Sequence, residues 1–176
     1  MRRTLVLLSL FALFSLAAPA PTAIAGTNIQ SSGKLGLGLH VGYPGNGFSA
    51  NYFLTNSTSL QLDISLWFAR DWLGIGGRLD FLWWPTTLAK WEYADLVWFW
   101  GPGVNVFSYN WKGSKKYHHD AYVGVGVELP IGIGFQFKKV PIDLNLEAVP
   151  VLVILAEDGR NIGFGIAGGL NARWYF

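Results

Sequence analysis

From residue 35 to its last residue the chain alternates apolar with small or polar residues at a period of two. That period belongs to strands, because successive side chains of an extended chain point to opposite faces. Leu35, Leu37, Leu39 and Val41 alternate with Gly36, Gly38 and His40, and the turn formers of Tyr43-Pro-Gly-Asn-Gly47 follow. A second strand, over about 48–55, ends at Thr55-Asn-Ser-Thr58. In the third, Leu60, Leu62, Ile64, Leu66 and Phe68 oppose Gln61, Asp63, Ser65 and Trp67. After Arg70 and Asp71 comes a fourth, with Ile75, Gly77, Leu79, Phe81 and Trp83 on one face and Gly74, Gly76, Arg78, Asp80 and Leu82 on the other, stopped by Pro85.

The fifth strand, about 93–109, sets Leu96, Trp98, Trp100, Val104 and Val106 against Asp95, Gly101, Gly103 and Asn105, while Val97 and Phe99 break its pattern. The sixth alternates without error over the 15 positions from Val123 to Phe137. With about half of all residues apolar, chance gives such a run with probability on the order of 10⁻⁵ per starting point. The seventh, from Ile142, puts Asp143, Asn145 and Glu147 opposite Leu144, Leu146 and Ala148 and then becomes wholly apolar from Val149 to Leu155. The eighth carries Ile162, Phe164, Ile166, Leu170, Ala172, Trp174 and Phe176 against Gly163, Gly165, Asn171, Arg173 and Tyr175. No segment of residues 26–176 shows a helical stripe, so the pattern predicts an all-β, antiparallel, up-and-down barrel of eight strands in one domain.

Residues 1–25 stand apart. Arg2 and Arg3, an apolar run over 5–18 and the small residues Ala23-Ile-Ala25 read as a signal peptide cleaved before Gly26, too short for a spanning helix. Two of the 13 basic residues leave with it, so the mature chain has 11 of each sign and no excess for nucleic acid. With no cysteine there is no lipid anchor, disulfide or thiolate metal site. No cofactor and no metal are expected. A hydrophobic share of 51%, with nine Trp and 22 Gly, points to β-structure facing something other than water.

Alternation fixes strands but not the solvent. In a soluble sandwich the wet face is rich in Lys, Glu and Thr, whereas here the polar face is Gly, Ser, Asn and Gln with isolated charges. That face suits the crowded interior of a narrow barrel. The other face has no charge on strands three to eight, as lipid contact requires. Aromatic residues near strand ends, Trp67, Trp72, Trp83, Trp84, Trp91, Tyr93, Tyr109, Trp111 and Tyr122, are read as two interfacial girdles. Trp98 and Trp100 sit deeper than girdles require.

With this pattern and the ending Asn171-Ala-Arg-Trp-Tyr-Phe176, the chain resembles the small outer-membrane barrels of the OmpA transmembrane-domain and OmpX type. Through Pro141-Ile-Asp-Leu-Asn-Leu-Glu147 and Arg173-Trp-Tyr-Phe176 it is more similar still to small barrels of spirochaetes and related Gram-negative, double-membraned bacteria, a likeness that brings no activity with it. The resemblance implies location in the cell outer membrane, periplasmic chaperones and the barrel-assembly machinery as partners during biogenesis, and Trp174 and Phe176 as the assembly signal. Outer-membrane lipid and lipopolysaccharide are the expected surroundings of a monomer.

By parity Asp63, Arg78, Asp80, Asp95, Glu128, Asp143, Glu147 and Arg173 face the lumen. Buried charges must pair, so Arg78 and Arg173 are expected to be hubs. The network reads either as a static polar plug or as a gate over a narrow, porin-like path, and its six acids against two arginines suggest some protonated carboxylates or a weak cation preference. His118, His119 and Asp120 could bind metal or act as a base, as in barrels that modify lipid A, or form part of a solvated basic loop with Lys115 and Lys116. His40 is read as a hydrogen-bonded lumen residue. Val149, Val151 and Val153, inward yet apolar, suggest a bulge at Pro150, a dry upper core or a hydrophobic pocket. Gly74-Ile-Gly-Gly77 and Gly124-Val-Gly126 are strand glycines facing bulky groups, since no helix follows to make a phosphate loop. The loops near 43–47, 69–72, 110–121 and 156–161 should lie outside and the turns near 55–58, 84–93 and 138–141 in the periplasm. The functional expectation is a structural or interaction barrel with a plugged lumen and no catalytic residues. The alternatives are a narrow pore or small-ligand transporter and, after these, a lipid-modifying enzyme.

Overall fold

The computed structural model describes residues 35–69, 72–111, 121–155 and 162–176; residues 1–34, 70–71, 112–120 and 156–161 lie outside this set. Eleven strands form one antiparallel sheet: β1 (Leu35–Tyr43), β2 (Asn46–Phe53), β3 (Thr58–Ala69), β4 (Trp72–Trp83), β5 (Thr87–Lys90), β6 (Ala94–Trp100), β7 (Gly103–Trp111), β8 (Ala121–Glu128), β9 (Ile131–Phe137), β10 (Ile142–Leu155) and β11 (Ile162–Tyr175). The sheet closes on itself, because β11 pairs with both β10 and β1.

The eleven strands make eight crossings. β4 leads into β5, β6 into β7 and β8 into β9, and each break holds a proline: Pro85, Pro102 and Pro130. Pro85 therefore interrupts the fourth crossing without ending it, since β5 pairs onward with β6. The breaks at Pro102 and Pro130 do not disturb the register, whereas β5 meets β6 with a shift between Thr87 and Ala89. β6 and β7 meet β4 at one offset, β9 and β8 meet them at a second, and both meet β10 at a third.

Proline explains where the gaps fall. A strand residue's N–H and C=O point to the same neighbour, and proline keeps only the C=O. The Pro102, Pro130 and Pro150 carbonyls accept from the N–H groups of Phe81, Gly101 and Leu129 at 2.9, 3.1 and 3.0 Å. The missing donors of Pro130 and Pro150 thus fall at the neighbouring strand's break, while that of Pro102 faces Phe81 inside β4. No bulge forms at Pro150, contrary to the expectation, because β10 and β11 stay in one register from Ile142 to Ile154.

Following partners around the ring from Gly36 leads through Asn51, Gln61, Asp80, Gly103, Glu128 and Val151 to Gly165. Gly165 lies three residues beyond Gly168, the partner of Tyr43, so the circuit closes ten residues from its start. For eight strands such a stagger gives a tilt of roughly 40° and an interior that side chains can fill. The outer wall is apolar. Leu62, Ile64, Leu79, Val104, Val125 and Leu170 are 42–49% exposed, and outward positions of β1–β4 and β6–β11 carry no charge. The charged residues of those strands all fall on the inner parity.

Candidate functional site

Sequence places three kinds of residue inside the barrel, and the stagger sorts them into layers. At the end bearing the short turns, Tyr175, Phe53, Trp84 and Phe99 form an aromatic chain across the lumen, with ring centroids 5.8, 5.6 and 4.6 Å apart in turn. Leu82 and Val97 complete this buried cluster. Phe99 and Leu82 are fully buried, which gives the apparent irregularity of β6 its reason: Val97 and Phe99 are lumen residues that are apolar because they close it. The Trp84 indole N–H donates to Ser59 Oγ at 2.8 Å, meeting the need of a buried indole for an acceptor.

The charged layer lies above. Arg173, 1% exposed, donates to both oxygens of Asp143, from Nε at 3.1 Å and from a terminal nitrogen at 2.9 Å. Asp143 also accepts from Tyr175 at 2.8 Å and from Asn145 at 3.0 Å, so four donors surround one carboxylate. The other Arg173 terminal nitrogen donates to Gln61 Oε1 at 2.7 Å, and the Gln61 amide donates to Asp63 and Glu147 at 3.0 and 3.1 Å. Arg78 reaches Asp63 at 2.7 Å, bonds Glu147 and lies 3.5 Å from Asp80. Gln61 thus ties the two arginine centres into one network. Its neighbour Asp63 carried the signal, but an amide at an inward position gave no cue that it would join two ion pairs.

Glu128 accepts from Asn105, and Asp95 leaves the central layer. Asp95 pairs with Lys138 at 2.9 Å, at the turn end, and Lys138 also donates to the Trp91 carbonyl. The expectation that all eight charged residues share the Arg78 and Arg173 hubs is corrected on this point, because Asp95 stands on a crossing whose inward residues begin at the rim. His40 is buried, with Nδ1 2.7 Å from Asn171 Oδ1. Ligand atoms of His40, Asp63 and Glu147 lie within 4.8 Å of one another, but Arg78 already binds both carboxylates.

Toward the loop end the lumen opens into a cavity of about 450 Å³. Its walls are Trp67, Phe107, Tyr109, Val151 and Val153; its floor includes His40, Asp63, Arg78 and Glu128. The cavity is open in the upper third because the opposing positions are glycines. A Cβ on Gly74 would lie 2.0 Å from the Trp67 indole, so no larger residue fits beneath that ring. Lower down, a Cβ on Gly103 would lie 1.8 Å from Asp80 Oδ1. Val149 is fully buried, whereas Val151 and Val153 line the cavity, so the apolar run of β10 serves two layers.

The aromatic girdles need correction. Trp91 and Tyr93 are exposed at the turn end, the first stacked on Phe135 and the second under Lys139. Trp83 is on the outer face and packs on Phe81 and on Trp100, its cross-strand partner, so deep Trp100 belongs to an outer aromatic cluster. Trp67, Trp84 and Tyr109 instead point inward. Adjacent residues of a strand face opposite ways, so Trp83 and Trp84 cannot both meet lipid. The side chains of Trp72, Trp111 and Tyr122 lie outside the described set, as do His118, His119 and Asp120. Trp174 and Phe176 stand on the outer face, 46 and 68% exposed.

No family model matches the chain, and no curated protein matches it in sequence. Among solved structures it is similar to the crystal structure of Ail, the attachment invasion locus protein of Yersinia pestis, at 14% identity over 82% of this chain and 99% of that one, with a TM-score of 0.37.

Proposed function

We infer that this chain is an outer-membrane β-barrel protein with a structural or interaction role and a closed lumen, not a conducting channel and not an enzyme. One observation carries the reading: an apolar wall, without charge on the outward positions of β1–β4 and β6–β11, encircles a closed barrel whose interior holds an aromatic layer and a charged layer in series. A continuous exposed apolar surface of this extent is untenable in water and ordinary in lipid. In this reading the leader exports the chain and the barrel-assembly machinery inserts it, the loop end faces outward, and the resemblance to OmpA- and OmpX-type barrels holds for the architecture of the mature chain and, as a motif, for its last strand. Outer-membrane lipid and lipopolysaccharide surround a monomer. The charge network acts as a static plug that sets register and shape.

The membrane claim has a direct test in Val104→Arg. Val104 is 49% exposed and pairs with Leu79 and Val127, which are exposed beside it. In lipid the substitution is expected to cost about 2–4 kcal/mol, read from urea unfolding in phospholipid vesicles. An unchanged unfolding curve, with the protein recovered from the soluble fraction and migrating alike with and without boiling, would overturn the reading. Planar bilayers containing the folded protein should show no steady conductance. Reproducible unitary currents would favour the narrow pore.

A further inference from the structure

We propose that the cavity at the loop end binds a small organic cation with an aromatic or aliphatic body. The argument begins with where the excess negative charge lies. Arg173 is matched by Asp143 and Lys138 by Asp95, one to one. Arg78 faces Asp63, Asp80 and Glu147, and Glu128 stands beside Asp80 across Gly103. Four carboxylates therefore surround one guanidinium, and two of them, Asp63 and Glu128, form the cavity floor. Their distribution is uneven in a way that a purely structural plug does not require.

The acceptors are also incompletely used. Asp63 is 1% exposed and Glu128 8%, yet Asp63 Oδ1 and Glu128 Oε1 receive no hydrogen bond from the protein. A buried carboxylate oxygen without a donor is costly, and positive charge held just above the floor would offset both through space. Arg78 directs its Nε and one terminal nitrogen at Asp63 Oδ2 and Glu147 instead. An anion would meet this floor repulsively.

The walls select the body of the ligand. Phe107 and Tyr109 are parallel, 6.2 Å apart with an interplanar angle of 11°, and Trp67 faces into the same space. Aromatic faces attract cations, most strongly where water is excluded, and Val151 and Val153 offer apolar contact. A volume of about 450 Å³ falls within the range of small-molecule sites. A bare divalent ion fits less well. Among the described residues the one group of metal-type ligands, His40, Asp63 and Glu147, has Arg78 bound to two of its three members, and the walls give a hydrated ion nothing.

The test uses the mature chain folded in dodecyl maltoside, a detergent without charge, and isothermal titration with four probes: benzyltrimethylammonium, its neutral isostere neopentylbenzene, benzenesulfonate and zinc chloride. Benzyltrimethylammonium should bind at least tenfold more tightly than the isostere, with no measurable binding of the sulfonate. Glu128→Gln and Trp67→Ala should each weaken it tenfold or more. Val153→Lys, which sets an ammonium in the cavity wall without touching the buried network, should abolish it. Retention of the boiling-dependent gel shift shows in each case that the barrel has folded, which keeps the result separate from the outer-membrane reading. Equal affinity for the isostere, preference for the sulfonate or for zinc, no binding at all, or indifference to both Glu128→Gln and Val153→Lys would overturn the proposal.

Discussion

Arg173→Ala should lose about 3–5 kcal/mol of folding free energy, the range for removing one partner of a buried ion pair. The loss arises from what stays behind. Asp143 is fully buried, and without the guanidinium it keeps only Tyr175 and Asn145 as donors, while the layer's other guanidinium, Arg78, is held by Asp63 and Glu147. The Gln61 carbonyl loses its donor in the same step. A double variant, Arg173→Met with Asp143→Leu, removes both charges and fills similar space. It should recover most of the loss, since apolar replacements of buried pairs are often neutral or stabilising. Urea unfolding in phospholipid vesicles measures all three proteins. A loss below about 1 kcal/mol for Arg173→Ala would mean that the pair is hydrated and that the charged layer does not close the lumen.

The same pair shows what the sequence can and cannot convey. That Asp143 and Arg173 face inward follows from parity, and so do the inward positions of Asp63, Arg78, Asp80, Glu128 and Glu147. Parity also gives the eight crossings and the uncharged outer wall. It does not give depth. Which inward residues share a level depends on the registers of eight neighbouring pairs and on a stagger of ten residues, and these are properties of the closed ring. Gln61 and Arg173 meet across 112 positions of sequence, and nothing local to either announces the other.

Depth also accounts for the particular corrections. Asp95 is inward, but its level is the rim, where Lys138 is the available cation. Trp84 has the composition of a girdle residue and sits at a strand end, yet it alternates with Trp83 and must enter the lumen. Val97 and Phe99 look like errors in an alternating strand only if every inward position has to be polar. At the level of Phe53 and Tyr175 the barrel is closed by packing, so apolar residues on the inner face are what that layer requires. The prolines show the same limit. Pro85 reads locally as a strand end and β4 does stop at Trp83, whereas the registers continue through the breaks at Pro102 and Pro130.

Phe99→Ala tests that apolar layer and should cost about 3–5 kcal/mol, the usual range for emptying a well-packed aromatic site. Phe99 has no exposed surface, stacks on Trp84 at 4.6 Å and lies over Gly132, where a Cβ would come within 2.4 Å of the ring. The facing wall cannot readily move in to fill the space, because Gly132 is held in the ladder on both sides, opposite Phe99 itself and opposite Glu147. Phe99→Leu, which keeps part of the volume, should cost roughly half as much. Neither variant is expected to conduct in planar bilayers. An apolar cavity of this size stays dry, Phe53, Trp84 and Tyr175 still span the lumen, and the Arg173 layer lies behind them. Channel openings in Phe99→Ala alone would show that closure rests on a single ring. Loss of stability without openings is the result that two closures in series demand.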